Sequence, residues 1–378
     1  LEKQPAVSVA MVVCNVEHFL PEAIESILGQ TFRDFEFIIV DFGSTDRSKA
    51  ICARYAAADH RIKFRTIRNC SLTEARNAVC GLARGRYIAI TDADDVSLPD
   101  RLASEVEFME THPQIALLGG AAKWIDAKGR SLWVYDFPLD DKEIKAAIQT
   151  QNPFCHSAIL MRTEAFQHVL GYRTVFTQSH DYDLWLRISE QFQCANLPQV
   201  VVKYRLHPRQ ISLTRRRQQT LCRLAAEASA LSRKTVQPDA LEMSNEINPA
   251  LLASMGITEA MQQDRVAVEQ EWWIGTISRA GEYRLARKAS VGILKSSPKP
   301  ATRLRLADFH FAAAKFNWEK KRHWRGFKAA WNATMVHPPL AGDFFGALLR
   351  RLGFDVKARK RGSIQNPEAK TIQQSMRS

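Results

Sequence analysis

The chain has 378 residues, 46% of them hydrophobic, enough for a full core and consistent with two domains. It contains no run of 18 or more apolar residues, so no membrane-spanning helix is expected. The net charge of +13 is uneven: residues 1–214 hold 24 Lys and Arg against 26 Asp and Glu, residues 215–378 hold 29 against 14. A near-neutral part is thus followed by a basic part. The seven cysteines (Cys14, Cys52, Cys70, Cys80, Cys155, Cys194, Cys222) form no Cys-x-x-Cys pair, which argues against a zinc site or disulfide framework. Together with an N-terminal "LEKQPAVSV" that lacks a basic-then-apolar signal pattern, they suit a reducing cytosol.

"VSVAMVV" (Val7–Val13), "FEFIIVDF" (Phe35–Phe42), "IKFRTI" (Ile62–Ile67) and "YIAIT" (Tyr87–Thr91) read as strands. The first, second and fourth are almost continuously apolar, as strands covered on both faces should be. Helices are predicted between them. One starts near Pro21 with Ile24, Ile27 and Leu28 on one face. A second follows "GSTDRS", with Ser44, Thr45 or Asp46 as N-cap. A third starts near Thr73, and a fourth follows "SLPDR", turning Leu102, Val106 and Met109 inward. Strands alternating with helices imply an α/β domain with a mostly parallel central sheet flanked by helices. Ligands of such sheets bind beyond the carboxyl ends of the strands. Asp41 and the cluster Asp92, Asp94 and Asp95 stand at two of those ends.

After residue 214 the chain reads as all-α. "RRRQQTLCRLAAEASALSRK" is a basic helix, and Thr235–Gly256 is a breaker-rich connector. Residues 264–352 are helical again and carry Trp272, Trp273, Trp318, Trp324 and Trp331. "KASVGILKSSP" (Lys288–Pro298) and "KAAWNATMVHP" (Lys328–Pro338) form a faint repeat, of the length that helical hairpins use. The expected organisation is an α/β domain over 1–214, helix and connector over 215–263, a helical domain over 264–352 and a basic, disordered tail over 353–378.

Three carboxylates in "TDADD", directly after a buried strand, repel one another. They can solvate a loop, or cap the helix before Pro99 through Asp95 or Ser97. A divalent cation removes the repulsion more directly. Asp-x-Asp at a strand end offers hard oxygens to Mn²⁺ or Mg²⁺, with substrate phosphates completing the shell.

Four blocks carry a family resemblance. "VSVAMVVCNVEHFLPEAIESILGQTFRDFEFIIVDFGSTDRS" contains a strand followed by Asn15, a helix ending in Ser26 to Thr31, and an acidic turn at Asp41, Gly43, Ser44, Thr45 and Asp46. "EARNAVCGLARGRYIAITDADD", "SHDYDLWLRIS" (Ser179–Ser189) and "YRLHPRQIS" (Tyr204–Ser212) follow in order. Over residues 6–214 the chain resembles the family 2 glycosyltransferases, which have the GT-A fold. The resemblance implies inverting, metal-dependent sugar transfer from a nucleotide-sugar donor to a saccharide or lipid-linked acceptor, in surface polysaccharide or glycolipid synthesis. It implies Asp181 as catalytic base, Asp94 and Asp95 as metal ligands, and Asn15, Asp41, Arg76, Asp92 and His207 as donor-binding residues. His156 falls near the acceptor side and reads as structural. Two positions depart from the family pattern: Phe42 replaces the second acid of the turn, which leaves the base open, and His180 stands where a Glu usually precedes the catalytic Asp.

Other classes fit less well. A dinucleotide-binding oxidoreductase needs a Gly-x-Gly-x-x-Gly turn, and "CNVEHFL" has no glycine. A nucleotidyltransferase could use the same metal logic, and a catalytically silent nucleotide-binding scaffold the same sheet. No named nucleic-acid motif accompanies the basic C-terminal part, which makes nucleic acid the weaker partner. Its basic stretches at Arg215–Arg217, Glu319–Arg325 and Lys357–Arg361 either line solvated helix faces or meet an anionic membrane surface. The expected location is the cytoplasm, including the inner face of the cytoplasmic membrane.

Overall fold

The computed structural model describes residues 4–208, 210, 215–296, 300–319, 321 and 323–337. The chain first alternates: β1 (Val7–Val13), α1 (Leu20–Leu28), β2 (Phe35–Asp41), α2 (Ser48–Ala58), β3 (Ile62–Thr66), α3 (Leu72–Gly81) and β4 (Tyr87–Asp92). It continues through β5 (Val96–Ser97), α4 (Arg101–Thr111), β6 (Ile115–Asp126), β7 (Ser131–Tyr135) and α5 (Asp141–Ala147). A short 3₁₀ turn, His156–Ala158, leads into β8 (Ile159–Arg162), α6 (Thr163–His168), α7 (His180–Gln191) and β9 (Gln193–Leu206).

The strands form one sheet in the order β3-β2-β1-β4-β8-β6-β9-β5, with β7 paired to β6. β3, β2, β1 and β4 are mutually parallel, as helical crossovers require. Beyond β4 the sheet becomes mixed. β8 runs antiparallel to both β4 and β6, while β6 and β9 are parallel. All seven residues of β1 and of β2 are buried, which accounts for their unbroken apolar runs. Alternate residues serve opposite faces. Val7, Val9, Met11 and Val13 pack with Ile24 and Ile27 of α1 and Leu102 and Met109 of α4. Ala10 and Val12 pack with Val79 of α3 and Leu184 and Trp185 of α7. Each such fully buried aliphatic side chain contributes about 1.5–3 kcal/mol.

The helix starts differ from expectation in an informative way. α2 begins after Arg47, and Asp46 Oδ1 accepts from the Ser48 amide (2.9 Å), while Ser44 and Thr45 are engaged by Asn15 instead. α4 begins after Asp100 with no side-chain cap. Ser97 accepts from the buried Arg101 guanidinium (3.1 Å), which also reaches Glu105, Ile90 O and Ile159 O. α3 has a full capping box between Ser71 and Glu74.

Two compact units divide between Trp273 and Ile274. The first includes α8 (Arg216–Lys234) and α9 (Pro249–Ser254); α10 (Glu259–Ala280) runs from the first into the second. In the first unit a buried ion cluster holds α8 against α7. Arg173 grips Asp183 and Asp239 together, Arg233 pairs with Glu190 and Asp239, and Ser229 donates to Asp239 (2.5 Å).

The second unit contains α11 (Tyr283–Ser296), α12 (Pro300–Glu319) and α13 (His323–Val336). α11 and α13 each have 14 residues, and a left-handed residue precedes each one, Gly281 (φ 93°) and Lys321 (φ 57°). The described parts of the faint sequence repeat therefore lie on two helices of equal length, α11 and α13. His310 is fully buried between Ser278 and Ser290. Ser290 spends its hydroxyl proton on Ala286 O, so His310 donates from Nε2 and accepts from Ser278 at Nδ1. Burial pushes its pKa down to about 4. The expected tail over 353–378 lies outside the described residues. No described helix is long and apolar enough to cross a membrane, and all seven cysteines are free.

Candidate active site

In the sheet register Val13 pairs with Asp41 and Val12 with Asp92, so the ends of β2 and β4 flank the end of β1. Two strand spacings put the two backbones about 10 Å apart. Asp41 is buried; its Oδ1 accepts from the Gly43 and Ser44 amides, and its Oδ2 has no partner among the described residues. Asn15, left-handed at φ 53°, accepts from Thr45 and from the Asp46 amide. It thereby fastens the turn after β2 to the end of β1.

The Asp92 carboxylate meets three side chains from two elements. Oδ1 accepts from Arg76 Nη2 of α3 (2.7 Å); Oδ2 faces His156 Nδ1 (3.1 Å) and the Ser157 hydroxyl (3.0 Å). Burial raises the Asp92 pKa, but His156 and Arg76 outweigh it and hold the group well below the usual carboxylate range. Asp95 shows the opposite balance. Burial, then the charges of Asp94 and Asp92, push it well above that range. Both of its oxygens are engaged, Oδ1 by the Arg205 amide (2.7 Å) and Oδ2 by Ser157. A protonated Asp95 donating to Ser157, with Ser157 donating to Asp92, uses each hydrogen once.

Asp94 points elsewhere. Its side chain is 27% exposed, and Oδ2 lies 2.9 Å from His207 Nε2. His207 comes from the segment after β9, beside Arg205, which donates to Asp94 O (2.8 Å) and pairs with Glu22 of α1. Among the described residues no group of three or more His, Cys, Asp or Glu forms a complete metal cage. The partly open Asp94 carboxylate nonetheless offers the hard oxygen that a Mg²⁺- or Mn²⁺-type ion takes, with water and phosphate completing the shell. The Ser-x-x-x-Gln-Thr end of α1 supports this loop from below. Gln30 donates to Leu98 O (2.7 Å) and accepts from the Leu102 amide; Thr31 reaches Pro99 O and Asp100.

Asp181 is the second residue of α7, where a negative charge suits the helix dipole. Its Oδ2 accepts from Asn152 Nδ2 (3.1 Å). Its neighbour His180 is buried and stands edge-on to His156, 6.1 Å between ring centres, and His156 is bonded to Asp92. The Arg76 guanidinium feels both Asp92 and Asp181. The carboxylates at the end of β4 and at the start of α7 thus border one region. Burial, then the charges of Arg76 and His156, push the His180 pKa well below its ordinary value, so Asp181 has a neutral imidazole beside it. The rest of the Asp-Tyr-Asp-Leu-Trp-Leu-Arg block is structural. Asp183 and Arg187 pair (2.9 Å), Arg187 closes on Gly171 O (2.7 Å), and Trp185 is fully buried.

Ser157, Asn152 and Arg205 are contacts that sequence reasoning did not single out, and His156, read as structural, lies directly against Asp92. "NPFCHS" was the available signal: a polar run just before a buried strand that lies beside the Asp-x-Asp strand. Phe42 is partly buried against the α3–α7 core.

The family model described as "Glycosyl transferase family 2" matches residues 8–170. An uncharacterized glycosyltransferase of Methanocaldococcus jannaschii is 35% identical over 58% of this chain and 77% of its own. The O-antigen biosynthesis glycosyltransferase WbnJ of Escherichia coli is 31% identical over 53% of this chain and 80% of its own. Among solved structures, residues 1–349 of Staphylococcus aureus TarS align over 93% of both chains, with a TM-score of 0.48 and 14% identity.

Proposed function

Since the chain belongs to glycosyltransferase family 2 and has a GT-A sheet flanked by helices, we propose that it moves a sugar from a nucleoside diphosphate to a hydroxyl acceptor, with inversion at the anomeric carbon. The observation that carries this reading is the approach of Asp181 to the Asp92 site through Arg76, His180 and His156. In the reaction, the acceptor oxygen bonds to the anomeric carbon while its proton passes to the Asp181 carboxylate. The bond from that carbon to the β-phosphate oxygen breaks, and nucleoside diphosphate leaves.

The donor lies across the ends of β2 and β4. The free Oδ2 of Asp41 takes a hydrogen bond from the base or ribose, with Asn15 holding the turn. Asp92, kept anionic by Arg76 and His156, faces the ribose. Asp94, with His207 beside it, would hold Mn²⁺ or Mg²⁺, which when bound would supply positive charge for a diphosphate leaving group, and Asp95, whose oxygens are engaged, braces the loop from behind. Because WbnJ is named for O-antigen biosynthesis, the product class we assign is surface polysaccharide or glycolipid. The acceptor is a saccharide or a lipid-linked saccharide, met on the cytoplasmic side.

A screen of nucleotide sugars with Mn²⁺ or Mg²⁺, read as nucleoside diphosphate release, tests the assignment. Pyrophosphate in place of nucleoside diphosphate marks nucleotidyl transfer and overturns it. No turnover with any donor, despite donor binding, favours the silent scaffold.

A further inference from the structure

The second unit carries a surface that sugar transfer does not use. On α13, Trp324, Lys328, Trp331 and Met335 are all exposed, the two tryptophans by 67% and 44% and the methionine by 50%. At 3.6 residues per turn these four fall within an arc of about 60°. Lys328 stands over the Trp324 ring (5.2 Å), and Phe327 stacks on Trp324. Folded proteins rarely leave two tryptophans and a methionine in one exposed stripe without a partner for it.

The companion helix supplies charge. The 40-residue offset sets Arg284, Lys288 and Val291 of α11 at the positions of Trp324, Lys328 and Trp331. Arg284, Arg287, Lys288 and Val291 are exposed and line one shallow hollow. The two helices are joined: Asn332 donates to Tyr283 O (3.0 Å), and Tyr283 packs with Ala329 and Ala330. The cation-bearing helix α11 is therefore packed directly against the helix that carries the aromatic stripe. Neither helix contains an Asp or Glu.

We propose that the exposed faces of α11 and α13 dock on an anionic lipid bilayer. The chemistry fits that occupant on two counts. Indole rings sit at the level of the headgroups, where an apolar body and a polar N–H are both accommodated. Guanidinium and ammonium groups on helices that carry no carboxylate of their own are drawn to an anionic leaflet. A second copy of this surface would bring cation against cation, so self-association through it is disfavoured. The proposal does not depend on the donor chemistry.

The test uses the full chain with vesicles of equal parts phosphatidylglycerol and phosphatidylcholine, compared with pure phosphatidylcholine, in a flotation assay at low salt. The expected result is binding to the anionic vesicles alone, lost as salt is raised. Arg284→Glu with Lys288→Glu should lower partitioning at least about 25-fold, on the basis of roughly fivefold per removed cation. Trp324→Ala with Trp331→Ala should lower it by about tenfold or more. All four positions are exposed, so the variants should fold, and nucleoside diphosphate release without vesicles should match the parent chain. No flotation of the parent chain, or undiminished flotation of both variants, overturns the proposal. Self-association that is lost in the tryptophan variant, with no flotation, overturns it in favour of a second copy.

Discussion

Asp181→Asn isolates the base from everything else at the start of α7. Asn keeps the size of Asp, and its carbonyl can still accept the 3.1 Å hydrogen bond from Asn152 Nδ2. The negative charge is lost from the first turn of a helix, which costs about 0.3–1 kcal/mol, or at most a few degrees in Tm. Loss of a general base lowers turnover by about 10²–10⁴, equivalent to about 2.7–5.5 kcal/mol on the barrier. Chemistry should therefore suffer far more than folding. The assay is steady-state nucleoside diphosphate release at saturating donor and acceptor, with donor affinity measured separately by titration. The expected outcome is a fall in kcat of at least about 100-fold, with donor affinity within about threefold of the parent chain. A kcat within about tenfold of the parent would refute the assignment of Asp181 as base.

Asp94→Asn should act earlier in the reaction, removing Mn²⁺-dependent thermal stabilisation by nucleoside diphosphate; stabilisation equal to the parent's would clear Asp94 of that role. Asp183→Asn removes the carboxylate shared by Arg173 and Arg187, and should cost about 3–5 kcal/mol in urea unfolding, since it leaves buried guanidiniums under-compensated. Gly119→Ala would set a Cβ 2.1 Å from Asn196 Oδ1 and 2.8 Å from Phe154 Cδ1, so a loss of about 1–3 kcal/mol is expected, readable as a lowered Tm. His310 binds its proton more weakly folded (about 4) than unfolded (6.5), so its stabilising contribution is present above pH 6.5. It is lost as pH falls toward 4, amounting to about 3 kcal/mol, and His310→Gln should flatten that part of the second unit's acid-unfolding profile.

What the sequence made legible was whatever repeats locally. The apolar runs of β1, β2 and β4, the turn after β2 and the acidic end of β4 fall where periodicity and chemistry put them. The contacts that convert those landmarks into a site were not legible, because sheet order does not follow chain order. β8 lies next to β4 although 66 residues separate Asp92 from Ile159, and that pairing brings His156 and Ser157 to Asp92. Asp92 and Asp95 read alike in sequence yet end with opposite proton affinities: at Asp92 the contacts with His156 and Arg76 outweigh burial, whereas at Asp95 burial and the charges of Asp94 and Asp92 act in the same direction. The expected caps at Ser44, Thr45 and Ser97 are taken by other partners: the distant Asn15 for the first two and Arg101, one helical turn on, for the third.

The knot of guanidiniums and carboxylates behind α7 also sets a minimum length for a working fragment. A chain trimmed after the last family-like block would retain Arg173 and Asp183 but discard Ser229, Arg233 and Asp239. The helix that presents Asp181 would then rest on an unfilled socket. Residues up to at least Leu241 are therefore scaffolding for the catalytic domain, and a shorter fragment would be expected to bind donor poorly, turn it over slowly and aggregate.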